Sequence, residues 1–333
     1  MASVEETREL KLEPEEVEAQ IELSPLGLAV AECWRSIPKF YPQVKVLAER
    51  VMPDHFHGVL FVTEQMVCHL GQVIKGFKLG CNKAARVLCP AILSPGAGLF
   101  AEGFVDTVLW RKGQLQTMFD YLVDNPRRLA IKRLFPELFK VSREIRVNFR
   151  LAPAAQAVGR FSAIGNHFLL ARPHFHQIQV SRRFFAYARD QRGKLLKDAP
   201  PAVATPEFAE KLDAALAAAK VGAVLVSPCI SQGEREIARR AFAAGCCVIT
   251  LANKGFSPLY KPGGKLFETC AAGNLLMLAP VGWPYQPAER TMTRVDALVL
   301  NRIAQLIAGD DACAIDYKGA TLVNVDEEVK RVV

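Results

Sequence analysis

The chain has 333 residues, of which 50% are hydrophobic and 23% charged, and its formal net charge is +8. This length and apolar content predict two folded domains and exclude an intrinsically disordered protein. No apolar run reaches the roughly 18–20 residues of a membrane span, and the nine cysteines include no Cys-x-x-Cys pair. Neither a membrane protein nor a disulfide framework is therefore expected.

The first 20 residues are acidic, with seven glutamates against two basic residues. Signal and transit peptides are basic and poor in acidic residues, so this segment predicts a cytoplasmic protein.

The N-terminal part predicts alternating helices and antiparallel strands. Helices are expected at 27–36, 66–80 and 113–124, and strands at 44–52, 56–63 and 103–109. Pro126 is expected to end the last helix, because a proline pushes the residue before it out of the helical conformation. Antiparallel strands with helices on one face are typical of an α+β fold.

The most informative motif is His55-Phe56-His57, within residues 51–62. On an extended strand residues i and i+2 share a face, so both imidazoles are expected on one side and Phe56 on the core side. Two neighbouring imidazoles on a rigid strand suit a divalent metal. The same spacing recurs at His174 and His176, which we interpret as a surface or DNA-contacting segment because no Tyr-x-x-x-Asn follows it.

A second motif lies in the helix predicted at 113–124, whose apolar residues recur at helical spacing. Tyr121 and Asn125 lie four residues apart, and therefore one turn apart on a single helix face. A phenol and a carboxamide in this arrangement are candidates for a nucleophile and a third metal ligand.

Met-Pro-Asp-His-Phe-His-Gly at 52–58 and Tyr-Leu-Val-Asp-Asn-Pro at 121–126 together resemble the single-tyrosine HUH transposases, in particular the REP-associated tyrosine transposases of bacteria. The resemblance covers roughly residues 20–135. It includes Leu-Ser-Pro-Leu-Gly at 23–27 with Trp34, the helical segment 70–78, and Gly-Phe-Val-Asp at 103–106. The paired motifs in this order make it specific, whereas either motif alone is weak.

This resemblance implies a ferredoxin-like HUH palm, an antiparallel sheet with helices. It implies that Tyr121 attacks a phosphodiester in single-stranded or hairpin DNA and forms a 5′-phosphotyrosine link, which a 3′-hydroxyl later reverses. It also implies that His55, His57 and Asn125 hold Mg²⁺ or Mn²⁺ and that Asp106 supports them. The expected protein is a metal-dependent transposase, a DNA strand transferase and endonuclease acting on repeat-derived DNA.

The chain departs from this family at its start, where a strand normally precedes the Leu-Ser-Pro-Leu-Gly segment. Only the glutamate-rich residues 1–20 are available, so Arg8 to Leu12 forms a short edge strand or the strand is lost. Loss of this strand favours an alternative, a transposase-derived DNA-binding protein that no longer cuts. The intact His-x-His and Tyr-x-x-x-Asn motifs favour the enzyme.

Two basic stretches indicate a nucleic-acid partner. Residues 111–150 carry ten Lys or Arg against four acids, and residues 172–197 carry seven against one. Both are interleaved with aromatic residues, which suits a phosphate backbone with unpaired bases to stack. The alternative for either stretch is an ordinary solvated helix face. The candidate DNA-contacting residues are Lys75, Lys78, Arg127 and Arg128.

The C-terminal half predicts a different fold class. Residues 221–226 (Val-Gly-Ala-Val-Leu-Val) form an apolar run typical of a parallel strand buried on both faces. A helix to about Ala244 follows, and further strands are expected at 247–251 and 275–278. Residues 161–166 are interpreted as the entry strand and turn. This alternation predicts a Rossmann-like, doubly wound α/β domain with a mainly parallel sheet.

We place the N-terminal domain at 1–145 and the C-terminal domain at 155–333. Leu-Val-Ser-Pro-x-Ile-Ser-x-Gly-Glu at 225–234, followed by Thr293-Arg294 and Asn301-Arg302, resembles the Rossmann-like domain of DprA/Smf and LOG proteins. The resemblance covers about residues 160–310.

The turn after the strand at 221–226 offers backbone N–H groups at a helix N-terminus to a phosphate. The candidate pocket, for a nucleotide or single-stranded DNA, consists of Ser227, Ser231, Gly233 and Arg294. Alternatives are a plain strand–turn–helix connection, or a protein whose main role is this binding module, with the N-terminal domain as its targeting device. The motifs leave the oligomeric state open.

Overall fold

The computed structural model describes residues 19–94, 96–150, 158–180, 185–186, 203–287, 290–309 and 324–333. The chain divides into two compact units, the first ending at Ile131 and the second beginning at Lys132. The edge strand expected at 8–12 lies outside the described residues. Within the described ranges, no helix has both the length and the apolar character needed to cross a membrane.

The N-terminal unit contains a two-stranded antiparallel sheet and helices. Its described elements are α1 (Pro25–Arg35), α2 (Ile37–Phe40), β1 (Val44–Val51), β2 (Phe56–Val62), α3 (Leu70–Leu88), a 3₁₀ turn (Pro90–Ile92) and α4 (Gln114–Leu134). The last three residues of α4 belong to the C-terminal unit. Ser24 caps α1 by accepting the Gly27 N–H at 3.2 Å. The core of this unit contains Trp34 from α1, Val44 from β1 and Phe77 from α3.

Two expectations for this unit are wrong. Residues 103–110 form no strand, and Val105 and Trp110 on this segment are almost fully exposed. Helix α4 also continues through Pro126 instead of ending before it. A proline removes one hydrogen-bond donor from a helix, and α4 tolerates this loss because the carbonyl left without its partner finds another donor, described below.

The C-terminal unit contains a six-stranded, mostly parallel sheet with helices, as its apolar runs predict. Its strands are β3 (Ser142–Asn148), β4 (Val158–Gly165), β5 (Phe175–Gln177), β8 (Val224–Ser227), β9 (Val248–Leu251) and β10 (Leu275–Pro280). Their order is β3-β4-β10-β9-β8-β5. Strands β10, β9, β8 and β5 are parallel to one another, whereas β4 pairs antiparallel with β10 and β3 pairs antiparallel with β4. Two-residue strands β6 (Phe185–Ala186) and β7 (Val203–Ala204) pair separately.

The described helices of this unit lie after β7. They are α5 (Pro206–Lys220), α6 (Gln232–Ala243), α7 (Gly264–Ala271), α8 (Arg294–Ala308) and α9 (Val325–Val332), with 3₁₀ turns at Pro136–Phe139 and His167–Ala171. Strand β3 hydrogen-bonds to β4. It is therefore part of the larger sheet, although the boundary expected between 145 and 155 left half of it with the N-terminal domain.

Both faces of the larger sheet are covered, which explains the composition of its central strands. Along β8, Val224 and Val226 pack in one apolar cluster with residues of α8 and α9. Leu225, between them, packs in a second cluster with residues of α5 and α6. Alternate residues of a strand point to opposite faces. A strand covered on both sides is therefore rich in apolar residues, and the run at 221–226 locates β8 for this reason. The strand itself begins at Val224, and Val221 lies in the exposed turn before it.

Candidate functional site

The two histidines of the N-terminal unit lie side by side where β2 begins. The ring centroids of His55 and His57 are 4.8 Å apart, and the ring planes make an angle of 84°. Phe56, between them, contacts Trp34 in the core at a centroid distance of 4.9 Å. The i, i+2 spacing thus places the imidazoles together and the phenyl ring apart from them, in the core.

Asp54 supports the first histidine. The Met52 N–H donates to the His55 carbonyl at 2.9 Å, which closes a tight turn with Asp54 near its tip. In this turn the Asp54 carboxylate reaches His55, and its Oδ1 lies 2.6 Å from Nδ1 of the ring. A carboxylate at one ring nitrogen orients an imidazole and leaves the other nitrogen for a ligand. Strand alternation predicts Asp54 on the face opposite the histidines, and this expectation is wrong because alternation does not hold in a turn.

Gly58 lets the histidine strand lie directly on a buried indole ring. A Cβ atom at Gly58 would lie 2.0 Å from Cζ2 of Trp34. The indole is held on its other sides by Phe56 and Phe77, with centroid distances of 4.9 and 5.0 Å. Only glycine fits at this position, immediately after His57.

Helix α4 brings Tyr121 to the histidines. The ring centroids of Tyr121 and His57 are 5.4 Å apart in an edge-to-face arrangement. The guanidinium carbon of Arg128 lies 5.4 Å from the Tyr121 ring centroid, and Tyr121 is 36% exposed. An accessible phenol, two imidazoles and a guanidinium group therefore lie together within one unit.

Asn125 follows Tyr121 by one turn of α4 and is 2% exposed. Its side-chain Nδ2 is buried and makes no hydrogen bond to the described part of the chain. Within that part, no group of three or more His, Cys, Asp or Glu residues is arranged to hold a metal ion. A metal site here requires the carboxamide as a ligand beside the imidazoles.

Arg50 connects the strand of the histidines to the helix of the tyrosine, and sequence reasoning missed it. It lies opposite His57 in the β1–β2 pairing. Its Nε donates to the carbonyl of Leu122, the residue after Tyr121, at 3.0 Å. The sequence signal that could have indicated such a contact is Pro126, since a proline leaves the carbonyl four residues earlier without its helical donor.

The predicted DNA-contacting cations differ in their surroundings. Lys75 is exposed on α3. Lys78 donates from Nζ to two carbonyls of the segment 101–103. Arg127 donates to both carboxylate oxygens of Asp124, at 2.5 and 3.2 Å. Arg128 Nη1 lies 3.8 Å from Oδ2 of the same carboxylate. Three of the four side chains therefore already have local partners that a DNA phosphate would have to share.

Three further residues considered in the sequence belong to other segments of the chain than the histidine pair. Asp106 is exposed on the irregular segment 103–110, and no hydrogen bond within the described ranges joins it to His55 or His57. His174 is exposed and His176 half-buried at β5 of the other unit.

In the C-terminal unit, the turn after β8 already holds the carboxyl group of Glu234. Oε2 of Glu234 accepts the N–H groups of Ile230 at 2.7 Å and Ser231 at 3.1 Å. Oε1 accepts the Val180 N–H at 3.4 Å. Burial raises the pKa of Glu234. The N–H groups that the sequence offered to a phosphate are therefore used by this carboxylate, which a bound phosphate would have to displace.

The predicted pocket residues around this turn have structural contacts. Ser227 is fully buried, Gly233 is buried in α6, and Arg294 is exposed at the start of α8. Ser231 and Glu234 form a capping box at the start of α6. The Ser-x-x-Glu spacing is the sequence sign of this motif.

Replacing Ser231 by alanine is expected to lower the free energy of unfolding of the C-terminal unit by about 1 kcal/mol, because the Glu234 N–H loses its acceptor at 3.1 Å. Urea denaturation followed by far-UV circular dichroism measures this change. Ser257→Ala, in the loop after β9, is the matched control, and an equal loss in both variants would contradict the capping role.

A basic cavity of about 500 Å³ opens beside the start of β3 in the same unit. Its wall combines four cationic side chains with aromatic and other apolar ones, namely Lys132, Lys140, Arg143 and Lys261 with Pro136, Phe139, Val141, Phe256 and Pro258. Lys261 donates to the Phe139 carbonyl at 2.5 Å, and burial lowers its pKa. This cationic lining favours an anionic ligand.

Comparison with known proteins identifies a relative in Haemophilus influenzae that is described as an uncharacterized protein. It is 31% identical over 130 residues, and the match covers 33% of this chain and 69% of the relative. The chain belongs to the same family as this Haemophilus protein. No family model matches the chain, and no solved structure matches it significantly.

Proposed function

We propose that the N-terminal unit is a single-tyrosine HUH transposase domain of the REP-associated kind, which cleaves and rejoins single-stranded or hairpin DNA. The observation that carries this proposal is the convergence of Tyr121 with His55 and His57. The two motifs are separated by more than 60 residues of sequence, yet the ring centroids of Tyr121 and His57 are 5.4 Å apart. In this proposal β1 and β2 belong to a ferredoxin-like palm.

The donor set fits a divalent cation. Two imidazoles and one carboxamide oxygen are ligands that Mn²⁺ accepts, and Mg²⁺ accepts the oxygen readily. Nδ2 of Asn125 is buried and makes no hydrogen bond in the described part of the chain. No hydrogen bond at that atom therefore fixes the orientation of the carboxamide. The residues that would hold the ion are His55, His57 and Asn125, with Asp54 orienting His55. When bound, the ion would supply charge neutralisation at the scissile phosphate.

The proposed reaction uses the phenol as nucleophile. The Tyr121 oxygen attacks the phosphorus and the phenolic proton leaves to solvent. The bond to the 3′-oxygen breaks and that oxygen takes a proton from solvent, which gives a 5′-phosphotyrosine and a free 3′-hydroxyl. Arg128, beside the Tyr121 ring, is placed to stabilise negative charge on the transferring phosphoryl group. Attack by another 3′-hydroxyl reverses the step, so no external energy source is consumed.

Covalent trapping tests this proposal. The full chain, incubated with 5′- and 3′-labelled single-stranded and hairpin DNA and Mn²⁺, is expected to form an adduct that survives denaturing electrophoresis and carries only the DNA 3′ of the cut. EDTA is expected to abolish the adduct, because the phosphate charge is then not neutralised. Peptide mapping should locate the DNA on Tyr121. An adduct on another residue, or no adduct with any substrate, would refute the proposal.

A second candidate function is favoured by the basic cavity of the C-terminal unit. Its four cationic residues suit a nucleotide or single-stranded DNA, so this unit would act as a binding module of the DprA/LOG type. Fluorescence anisotropy with labelled oligonucleotides tests it: Lys140→Ala with Arg143→Ala should weaken binding and reduce its salt dependence, whereas a surface control, Arg239→Ala with Arg240→Ala, should not. Equal effects of both pairs would exclude a specific site.

A further inference from the structure

A proline within α4 creates the contact on which this inference rests. In an α-helix the N–H of residue i+4 donates to the carbonyl of residue i. The donor for Leu122 would come from residue 126, which is Pro126 and has no N–H. The Nε of Arg50, which is 72 residues away in the sequence, donates to this carbonyl at 3.0 Å.

Both ends of this hydrogen bond lie next to the candidate site. Arg50 is paired directly with His57 across β1 and β2. Leu122 directly follows Tyr121 and is buried. One hydrogen bond between a strand and a helix therefore connects the backbone beside the nucleophile to the residue opposite a metal-ligand candidate.

We propose that Arg50 is a positioning residue that fixes the separation between Tyr121 and the histidine pair, using the carbonyl that Pro126 leaves without a helical donor. This inference rests on the proposed function for its catalytic consequence, but not for its geometry. A charge-assisted hydrogen bond from a guanidinium group is stronger than one from a neutral donor. Its planar Nε–H also directs α4, because the donor cannot rotate freely as an ammonium group does.

Two variants weaken the contact from opposite ends. Arg50→Met keeps the length of the side chain and removes the donor. Pro126→Ala restores an N–H to residue 126, which then competes with Arg50 for the Leu122 carbonyl. Alanine is the better helix former, so the second variant keeps the test valid even where the first fails to fold. Arg35→Met is the matched control. Arg35 lies at the end of α1 and forms a surface ion pair, at 2.6 Å, with Glu49, the neighbour of Arg50 on β1.

The first readout is geometric and independent of activity. In the full chain labelled on histidine and tyrosine, proton NMR should show nuclear Overhauser contacts between the rings of His57 and Tyr121, whose centroids are 5.4 Å apart. Arg50→Met and Pro126→Ala should each weaken this contact, and Arg35→Met should not. A contact of full strength in both test variants overturns the inference.

The second readout is the rate of adduct formation at saturating DNA. Each test variant should lower this rate roughly 10- to 100-fold, because small displacements of a nucleophile have effects of this size. The DNA concentration for half-maximal rate should remain unchanged, since Arg50 is not proposed to touch DNA. The double variant should be no slower than the slower single one, because both act on the same contact.

The outcomes separate this inference from the proposed function. If the wild type forms no adduct but the ring contact weakens in both variants, Arg50 positions the helix and the proposed function fails. If the adduct forms and both variants keep their rate and ring contact, the proposed function stands and the inference fails. A multiplicative loss in the double variant also overturns it, since the two residues would then act separately.

Discussion

Replacing Tyr121 by phenylalanine is expected to abolish the covalent DNA adduct, with a loss on the order of 10³-fold or more because the nucleophilic oxygen is removed. The ring contacts with His57 and Arg128 do not involve the hydroxyl as the structure describes them, so the fold and the affinity for DNA should be retained. Single-turnover trapping with labelled DNA measures the first effect, and fluorescence anisotropy measures the affinity.

The control for this variant is Tyr285→Phe, which removes a hydroxyl from a comparably exposed tyrosine in the other unit. It should form the adduct at the wild-type rate. Persistence of the adduct in Tyr121→Phe would contradict the assignment of the nucleophile. Equal DNA affinity of wild type and Tyr121→Phe, with no cleavage by either, would instead favour the transposase-derived protein that binds DNA without cutting it.

Gly58→Ala is expected to destabilise the N-terminal unit by roughly 3 kcal/mol, at the upper end of the usual effect of overpacking. The added Cβ would lie 2.0 Å from the Trp34 ring. That ring cannot retreat, because Phe56 and Phe77 hold it. The strand itself must then shift, together with His57. Amide hydrogen exchange in β1 and β2 measures the loss of protection.

A second glycine of the same unit provides the opposite expectation. Gly76 lies in the interior of α3, and the nearest atom to an added Cβ is the Tyr41 hydroxyl at 3.7 Å. Gly76→Ala should therefore stabilise the unit by about 0.5–1 kcal/mol, through the higher helix propensity of alanine. Equal effects of the two substitutions would show that the packing of Gly58 on Trp34 is not the cause.

The parts of the fold that sequence could predict are those specified by local pattern. The apolar run at 221–226 locates β8, which begins at Val224, because a strand covered on both faces is rich in apolar residues. The segment 103–110 has the β-branched and aromatic residues of a strand, yet forms none. A strand exists only where a partner strand supplies hydrogen bonds, and composition does not specify that partner.

In the candidate site, too, features set by local residue spacing could be predicted and features set by distant partners could not. Residue spacing alone predicted that the rings of His55 and His57 would lie together. The continuation of α4 through Pro126 could not be predicted locally, since the compensating donor comes from Arg50 on a distant strand. Asp54 was expected on the wrong face for a related reason, because its contact with His55 depends on the turn before β2 and not on strand alternation.

The burial of Trp34 against Gly58 gives the N-terminal unit a spectroscopic reporter. An indole in an apolar core emits at shorter wavelength than one in water, and Trp110 in the same unit is 85% exposed. Trp283 in the C-terminal unit is also buried, at 8% exposure, so Trp34 emission is distinguishable at the blue edge of the spectrum in a Trp283→Phe variant. In that variant, paramagnetic Mn²⁺ held by the imidazoles beside Gly58 would quench the blue component, so occupancy could be titrated optically without DNA or label.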